Sequence, residues 1–410
     1  MGKRVIVIGG GAAGLTAAAK AAKNGNEVLI IERNERPARK VMITGKGRCN
    51  VTNNTDLNGL INSVTDNSKF LYSAFSNFNA QDTMSLFESL GVPLKTERGN
   101  RVFPKSDKAV DIVDALVSNA LQNGVKFKNA KAVSVTVDGN NSVNGVKTEN
   151  GEIIDCDRVI LATGGLSYPR TGSDGSGYKI AKTLGHTVTE LRPSIVSVVA
   201  QNGWVSALAG LSLKNVAISV LDCGTNKTVY TDFGEMLFTH YGLSGPIILS
   251  ASAHMKKLPD TKYRVVIDLK PALGEEQLNN RILRDFEKYS NKDFANSLCD
   301  LLPKRLISVA VKQSGIPSDT KVNQITKEQR ERLVSVLKNL TVDIINLRPI
   351  DEAVVTSGGI KVSEINPKTM QSKLVSGLFF AGEIIDVDAY TGGFNLQIAF
   401  STGFAAGNNV

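Results

Sequence analysis

The chain has 410 residues, of which 42% are hydrophobic and 21% are charged, ordinary values for a globular protein long enough for two or three domains. Its four cysteines have no Cys-x-x-Cys spacing, which argues against a disulfide framework, a zinc site or a redox dithiol and fits a reducing cytoplasm. The net charge of +9 is interspersed with acids, so a solvated basic surface is favoured over a nucleic-acid site.

The first thirty-two residues have the pattern of one complete βαβ unit. An apolar run, Arg4 to Ile8, meets Gly9-x-Gly11-x-x-Gly14, an Ala-rich helical pattern follows, and a second apolar run ends at Glu32. In such a unit the first glycine permits the tight turn, the second lets the backbone approach a pyrophosphate, and the third lets helix and strand pack closely. A carboxylate at Glu32 can accept hydrogen bonds from ribose hydroxyls and would repel a 2′-phosphate. The pattern therefore predicts a dinucleotide with an unphosphorylated adenosine ribose.

A long polar, glycine-punctuated loop is predicted from Arg36 to Asn54. Loops of this length are usually functional or disordered, and four cations beside the expected pyrophosphate favour function here: Arg39, Lys40, Lys46 and Arg48. The periodicity then predicts helices over residues 69–91 and 107–124, followed by short strands from Val125 to Thr163.

Two later strand ends carry glycines like those of the first unit. Val159 to Gly165 is an apolar strand ending in small residues, and a second such strand ends at Gly382, with Asp386 just beyond it. A Gly-rich loop then opens a predicted terminal helix, Leu396 to Gly407, whose N-terminus could stabilise negative charge on a flavin. Three such strand ends fit one long ligand, so the sequence favours FAD over NAD as the resident cofactor.

The middle of the chain has a different character. Alternating apolar runs from Thr187 to Asp268 predict an antiparallel sheet or barrel, and residues 275–339 have helical periodicity. We therefore predict an α/β fold: a doubly wound, Rossmann-like FAD-binding domain with an inserted antiparallel β-barrel and a small helical domain. The expected bounds are 1–190 and 355–410 for the FAD-binding domain, 191–270 and 340–354 for the β-barrel-like substrate domain, and 271–339 for the helical domain.

Three motifs carry a family resemblance: Lys40 to Asn54, Leu237 to Leu249, and Gly382 to Gly403. In this order they resemble the bacterial aminoacetone-oxidase-like or BaiN-like FAD-dependent oxidoreductases, over essentially the whole chain. The resemblance implies one non-covalent FAD. By matching position its contacts would be Gly9, Gly11, Ala13, Gly14, Glu32, Arg33, Lys40, Gly47, Arg48, Cys49, Asn50, Val133, Thr163, Gly164, Gly382, Asp386, Asn395, Leu396 and Gln397.

Lys46 departs from the family pattern, which usually has a glycine there. If the backbone at this position needs a positive φ, the lysine is strained. It could equally add a cation near the diphosphate, and the sequence leaves both interpretations open.

The leading functional hypothesis is a FAD-dependent oxidoreductase that oxidises a small amine or amino ketone, such as aminoacetone, with O2 as acceptor. His240 is the candidate group to accept the ammonium proton, and Tyr390 is a candidate pocket wall or hydrogen-bond donor; His186 and His254 are expected at the surface. A second complete dinucleotide motif is absent, so the electrons would come from the substrate itself or from a nicotinamide that stacks transiently on the flavin. The alternative hypothesis takes the second source and is a NAD(P)H-dependent reductase of a conjugated C=C bond. A flavin-containing RNA-modifying protein is a third hypothesis, motivated by the charge. The expected partners are a small-molecule substrate and transient NAD(P)H, with no nucleic acid, membrane or metal, in the cytoplasm.

Overall fold

Two separate stretches of the chain fold together, with a third stretch inserted between them. In the computed structural model, which describes residues 2–410, the residues up to Ser194 and Pro349–Val410 form one compact unit, here called the terminal unit. Ile195–Arg348 form the other, here called the inserted unit. The predicted further separation of a helical domain at 271–339 stays a prediction.

The first strand begins at Arg4, and the last lies in the C-terminal part of the terminal unit. In chain order they are β1 (Arg4–Ile8), β2 (Glu27–Glu32), β3 (Thr52–Asn53), β4 (Leu94–Glu97), β5 (Arg101–Pro104), β6 (Lys126–Asn129), β7 (Ala132–Val137), β8 (Val143–Thr148), β9 (Ile153–Asp155), β10 (Arg158–Leu161), β11 (Arg192–Ser194), β12 (Val198–Ala200), β13 (Ser212–Asp222), β14 (Lys227–Phe238), β15 (Gly242–Ser244), β16 (Tyr263–Asp268), β17 (Leu340–Leu347), β18 (Val355–Ser357) and β19 (Leu378–Phe380).

The α-helices alternate with these strands in the terminal unit and cluster near the end of the inserted unit. They are α1 (Ala12–Lys23), α2 (Arg39–Ile43), α3 (Leu57–Asn62), α4 (Tyr72–Asn77), α5 (Ala80–Ser89), α6 (Ala109–Gln122), α7 (Ser176–Thr183), α8 (Trp204–Ala207), α9 (Pro246–Ser252), α10 (Glu275–Lys288), α11 (Phe294–Ser297), α12 (Lys304–Ser314), α13 (Lys327–Lys338) and α14 (Phe394–Asn409).

The terminal unit is organised around a parallel sheet of order β19-β10-β1-β2-β6. In its register Val7 lies opposite Ile160 of β10 and Ile30 of β2, and all three side chains are fully buried. Parallel strands covered on both faces are typically continuous apolar runs, which is why β1, β2 and β10 are readable from sequence. The terminal unit also contains two small three-stranded antiparallel sheets, β3-β5-β4 and β7-β8-β9.

The inserted unit contains a closed antiparallel barrel of order β12-β15-β14-β13-β16-β17. Its apolar core continues into the helices that follow: Phe238 and Val265 of the barrel belong to the same buried cluster as Leu306 and Leu333. Together with the parallel sheet, this barrel confirms the predicted fold class.

Two local predictions need correction. The single helix expected over 69–91 is divided into α4 and α5, because the Asn79 side chain accepts hydrogen bonds from the N–H groups of Gln81 and Asp82 and so starts a new helix. The loop expected from Arg36 to Asn54 contains the short helix α2 and the strand β3.

Candidate FAD site

The turn after β1 has the geometry that a bound diphosphate requires. Gly9 has φ +103°, and a Cβ there would lie 2.6 Å from the Ala162 carbonyl oxygen. A Cβ on Gly14 would overlap the Gly9 carbonyl oxygen, whereas at Gly11 no described atom lies within 4 Å of the same position. The first helical bond of α1 runs from the Leu15 N–H to the Gly11 carbonyl, so the N–H groups before it face the open side of the turn.

Glu32 is fixed beside this turn at the end of β2. One carboxylate oxygen accepts a hydrogen bond from the Gly10 N–H (2.7 Å). The other accepts from the backbone N–H (2.8 Å) and side-chain amide (2.7 Å) of Asn34. A carboxylate has about four lone-pair sites, so these bonds orient Glu32 and leave capacity for a ribose hydroxyl.

The loop after α2 has a strained backbone. Gly45, Gly47 and two residues with side chains, Lys46 (φ +59°) and Cys49 (φ +58°), are left-handed. The sequence left open whether the backbone at Lys46 needs a positive φ, and the structure shows that it has one. Burial raises the pKa of the Cys49 thiol to about 12, so this thiol is neutral at physiological pH and unsuited to act as a nucleophile.

Two polar atoms in this region are buried without a protein partner. Within residues 2–410, the buried side-chain atoms that lack a hydrogen bond are Asn50 Oδ1, Thr163 Oγ1 and Trp204 Nε1. The first two belong to residues predicted to contact FAD. An unpaired buried polar atom costs free energy, and hydroxyl or phosphate groups of a dinucleotide would remove that cost. The residues present therefore fit the predicted cofactor.

Several predicted contacts have charged partners within the terminal unit. Arg33 pairs with Asp174. Arg48 pairs with Glu97 and, through Nε, with Asp107 (2.8 Å), and hydrogen bonds to these two carboxylates raise the pKa of its guanidinium.

Asp174, the partner of Arg33, is ionised at neutral pH. Partial burial alone would raise the pKa of Asp174, but hydrogen bonds from Ser176 and Arg33 lower it to about 2.

Val133, another predicted contact, lies exposed on β7, where only its backbone is suited to a polar ligand.

The C-terminal motif packs against the start of α1. Gly382 has φ +78°, and a Cβ there would lie 2.8 Å from that of Ala13 in α1. Asp386 is half-buried, and burial raises the pKa of its carboxyl group. Gly164, at the end of β10, is also left-handed with φ +73°.

The start of α14 is braced by its own side chains. Asn395 accepts from the Ala389 N–H (2.9 Å) and donates to the Ala389 carbonyl (2.6 Å). The fully buried Gln397 side chain accepts from Thr52 (2.6 Å) and donates to the Phe78 carbonyl (3.1 Å). Both side chains are hydrogen-bonded to other parts of the protein. A ligand at this end of α14 would therefore contact the first-turn N–H groups, including that of Leu396.

The two candidate catalytic residues lie in different units. Tyr390, in the loop before α14, is half-buried; burial, with the charges of Asp388 and Asp66, raises the pKa of its phenol. His240, in the inserted unit, is exposed and packs edge-to-face against Tyr241, with 4.8 Å between ring centroids.

His186 is a site that the sequence analysis placed wrongly. It is 3% exposed, its Nδ1 lies 3.1 Å from Glu364 and its Nε2 lies 2.9 Å from Ser372 Oγ. Its partners lie nearly two hundred residues away in the chain, so no local pattern could have indicated them.

Within residues 2–410, no group of three or more His, Cys, Asp or Glu side chains could hold a metal ion. No α-helix in that range combines the length and apolar character needed to cross a membrane.

The fold and the site define an FAD-dependent oxidoreductase with a Rossmann-like cofactor domain, and this predicted class is confirmed. The model of the HI0933-like protein Rossmann domain matches residues 3–409, and the chain belongs to that family.

Similar proteins extend over the whole chain. A 3-dehydro-bile acid delta(4,6)-reductase from Clostridium scindens is 30% identical, covering 98% of each chain. Ribosomal RNA dihydrouridine synthases are 31% identical in Escherichia coli (99% of this chain, 97% of the relative) and 33% in Haemophilus influenzae (98% and 96%). A 3-ketosteroid-delta4-(5alpha)-dehydrogenase from Rhodococcus jostii shares the fold at 15% identity, with a TM-score of 0.54 over 99% of this chain and 96% of that one.

Proposed function

We propose that this protein reduces a carbon–carbon double bond conjugated with a carbonyl group, using a nicotinamide as the source of electrons. The observation that carries the proposal is the pair of activities named for the full-length relatives. A bile acid delta(4,6)-reductase and a dihydrouridine synthase act on different molecules, but both names describe saturation of a C=C bond next to a carbonyl. Aminoacetone oxidation with O2 has no counterpart in those names and stays a prediction.

Uracil in RNA is the substrate that we favour within this class. The net charge is +9, and the excess of Lys and Arg over Asp and Glu is divided between the two units. Such a charge attracts an RNA backbone, with one negative charge per phosphate, more strongly than the single carboxylate of a bile acid. Two relatives named for ribosomal RNA have the higher identities. This choice departs from the expectation that no nucleic acid binds.

The residues of the chain have distinct tasks in this reaction. When bound, FAD would supply hydride chemistry at the β-carbon of the substrate. The first turn of α1 would hold the diphosphate, Glu32 would hold the ribose, and the first-turn N–H groups of α14 would favour negative charge on the cofactor. Hydride addition leaves an enolate, and Tyr390 Oη would donate a proton to its α-carbon and recover one from solvent. Its raised pKa keeps the phenol protonated at neutral pH.

An anaerobic experiment with three acceptors tests the proposal. The purified holoprotein is mixed with NADH or NADPH, then with a uridine-containing ribosomal RNA transcript, a 3-oxo-4-ene steroid, or buffer. We expect the nicotinamide to bleach the flavin and the transcript to restore its colour, with uridine gaining two hydrogen atoms by mass spectrometry.

Each contrary outcome removes a defined part of the proposal. Colour restored by the steroid and not by RNA would overturn the uracil substrate and keep the reductase class. A flavin that no nicotinamide bleaches, but that aminoacetone bleaches with peroxide release in air, would overturn the reductase class in favour of amine oxidation.

A further inference from the structure

Lys40 lies among the cations that the sequence placed beside the diphosphate, but the structure gives it another partner. Its Nζ lies 2.7 Å from Glu383 Oε2 and 2.6 Å from Ser167 Oγ. The two charged side chains are about one-fifth exposed, and Ser167 is fully buried. A lysine with this environment has its charge balanced by protein.

The carboxylate of Glu383 is bonded on both oxygens. Its Oε1 accepts from Ser167 Oγ (2.9 Å) and from the Thr356 N–H (2.9 Å). The Thr356 hydroxyl in turn accepts from the N–H groups of Leu166 (2.8 Å) and Ser167 (3.1 Å). The packing is tight, because a Cβ on Gly165 would lie 2.5 Å from Thr356 Oγ1 and 2.9 Å from Glu383 Oε1.

This network lies at the edge of the parallel sheet where a ligand is expected. Lys40 follows β2, Ser167 follows β10, and Glu383 follows β19. These strands belong to the same parallel sheet as β1, in the order β19-β10-β1-β2, so their carboxyl ends lie at one edge of the sheet. Ligands of open α/β sheets bind in the crevice at that edge. Thr163, whose hydroxyl is buried without a partner, lies four residues before Ser167.

We propose that Lys40, Glu383 and Ser167 form a charge-neutral clamp that fastens the loops around the FAD site, and that Lys40 is a positioning residue, not a diphosphate ligand. The clamp ties together the segments that follow three strands of one parallel sheet, β19, β10 and β2. Loops fastened in place before binding lose less conformational entropy when the cofactor arrives. The inference concerns retention of FAD and is independent of which substrate is reduced.

A double-mutant cycle on FAD binding tests the clamp. The variants are Lys40→Met, Glu383→Gln and Lys40→Met/Glu383→Gln, with FAD affinity measured by flavin fluorescence and the apoprotein midpoint measured by thermal denaturation. Each single change leaves one partner of a mostly buried pair without its counter-charge, and we expect FAD binding about tenfold weaker or worse. The double variant should bind FAD more tightly than the product of the single effects, because no charge is left unpaired.

The matched control is the exposed pair Lys126–Glu27, whose Nζ and Oε1 atoms lie 2.9 Å apart within the terminal unit. Lys126→Met should leave FAD affinity unchanged. Ser167→Ala is a milder variant for use if a charge variant does not fold, and it should weaken FAD binding less than either single charge change.

The competing role for Lys40 gives a different result. A free cation at the diphosphate would make Lys40→Met lose FAD while Glu383→Gln binds it as tightly as the parent or more tightly. That pattern would overturn the clamp, as would strictly additive single effects, or Ser167→Ala affinity equal to that of the parent.

Discussion

The terminal and inserted units differ in what their residues serve. In the terminal unit, several groups have no partner among residues 2–410: Gly11 faces open space, and Asn50 and Thr163 each have a buried polar atom without a hydrogen bond. In the inserted unit the described apolar side chains pack against one another, as in the barrel core around Phe238 and Val265. Trp204 Nε1 is its one buried unpaired side-chain atom within residues 2–410.

This difference explains why the cofactor can be predicted from the sequence more easily than the substrate can. A dinucleotide imposes small residues at fixed spacings, because its phosphates must reach the backbone. A substrate held by side chains of a barrel imposes no spacing along the chain. The class of enzyme therefore follows from the terminal unit, whereas the substrate is a proposal.

The comparison is tested most strongly by changing one candidate catalytic residue in each unit. Tyr390→Phe removes the proposed proton donor, and we expect the rate of substrate reduction to fall about 10²- to 10⁴-fold, since general acids contribute this much. Bleaching of the flavin by nicotinamide should keep its parent rate. Tyr72→Phe, on an exposed tyrosine of the same unit, is the matched control.

His240→Gln is the counterpart in the inserted unit. A reductase does not need a base for an ammonium proton, so we expect C=C reduction close to the parent rate. A large loss in His240→Gln together with parent activity in Tyr390→Phe would reverse the assignment and return support to amine oxidation.

The two glycines of the opening turn sharpen the comparison inside the terminal unit. Gly14→Ala places a Cβ on the Gly9 carbonyl oxygen, and overpacking of this kind costs about 1–3 kcal/mol in the free energy of unfolding. Gly11→Ala meets open space, so the apoprotein should keep its stability while FAD affinity falls. Urea denaturation of the apoproteins and flavin titration measure the two effects. Equal FAD affinity in Gly11→Ala and the parent would contradict a diphosphate at this turn.

His186 provides a pH test of the terminal unit. Burial lowers the pKa of His186, although its hydrogen bond to Glu364 opposes the shift. A histidine whose folded pKa lies below its unfolded value of about 6.5 stabilises the protein above that pH, and the contribution is lost as the pH falls further. We expect the urea midpoint to drop between pH 7.5 and 5.5, and to drop less in His186→Gln. A slope in His186→Gln equal to that of the parent would contradict the prediction.

Much of the cofactor half was predictable from sequence. The apolar runs of β1, β2 and β10 and the glycines between them form a local pattern that needs no knowledge of distant residues. The barrel was also indicated, by alternation over residues 187–268. What was not predictable depends on contacts across the chain. Lys40 meets Glu383 and His186 meets Glu364, although each pair is separated by more than 170 residues.

Lys46 gives the smallest expected effect and links a sequence anomaly to a backbone angle. A residue with a Cβ in the left-handed region costs about 1 kcal/mol, and glycine avoids this cost but loses more entropy on folding. Lys46→Gly should therefore raise the free energy of unfolding by somewhat less than about 1 kcal/mol. Because Lys46 is exposed, we expect FAD affinity to stay at the parent value. Lys46→Arg keeps both the charge and the strain and is the matched control. If Lys46→Gly weakened FAD binding and Lys46→Arg did not, the lysine would be serving the diphosphate as a cation, and its strained backbone would be the cost of placing that charge.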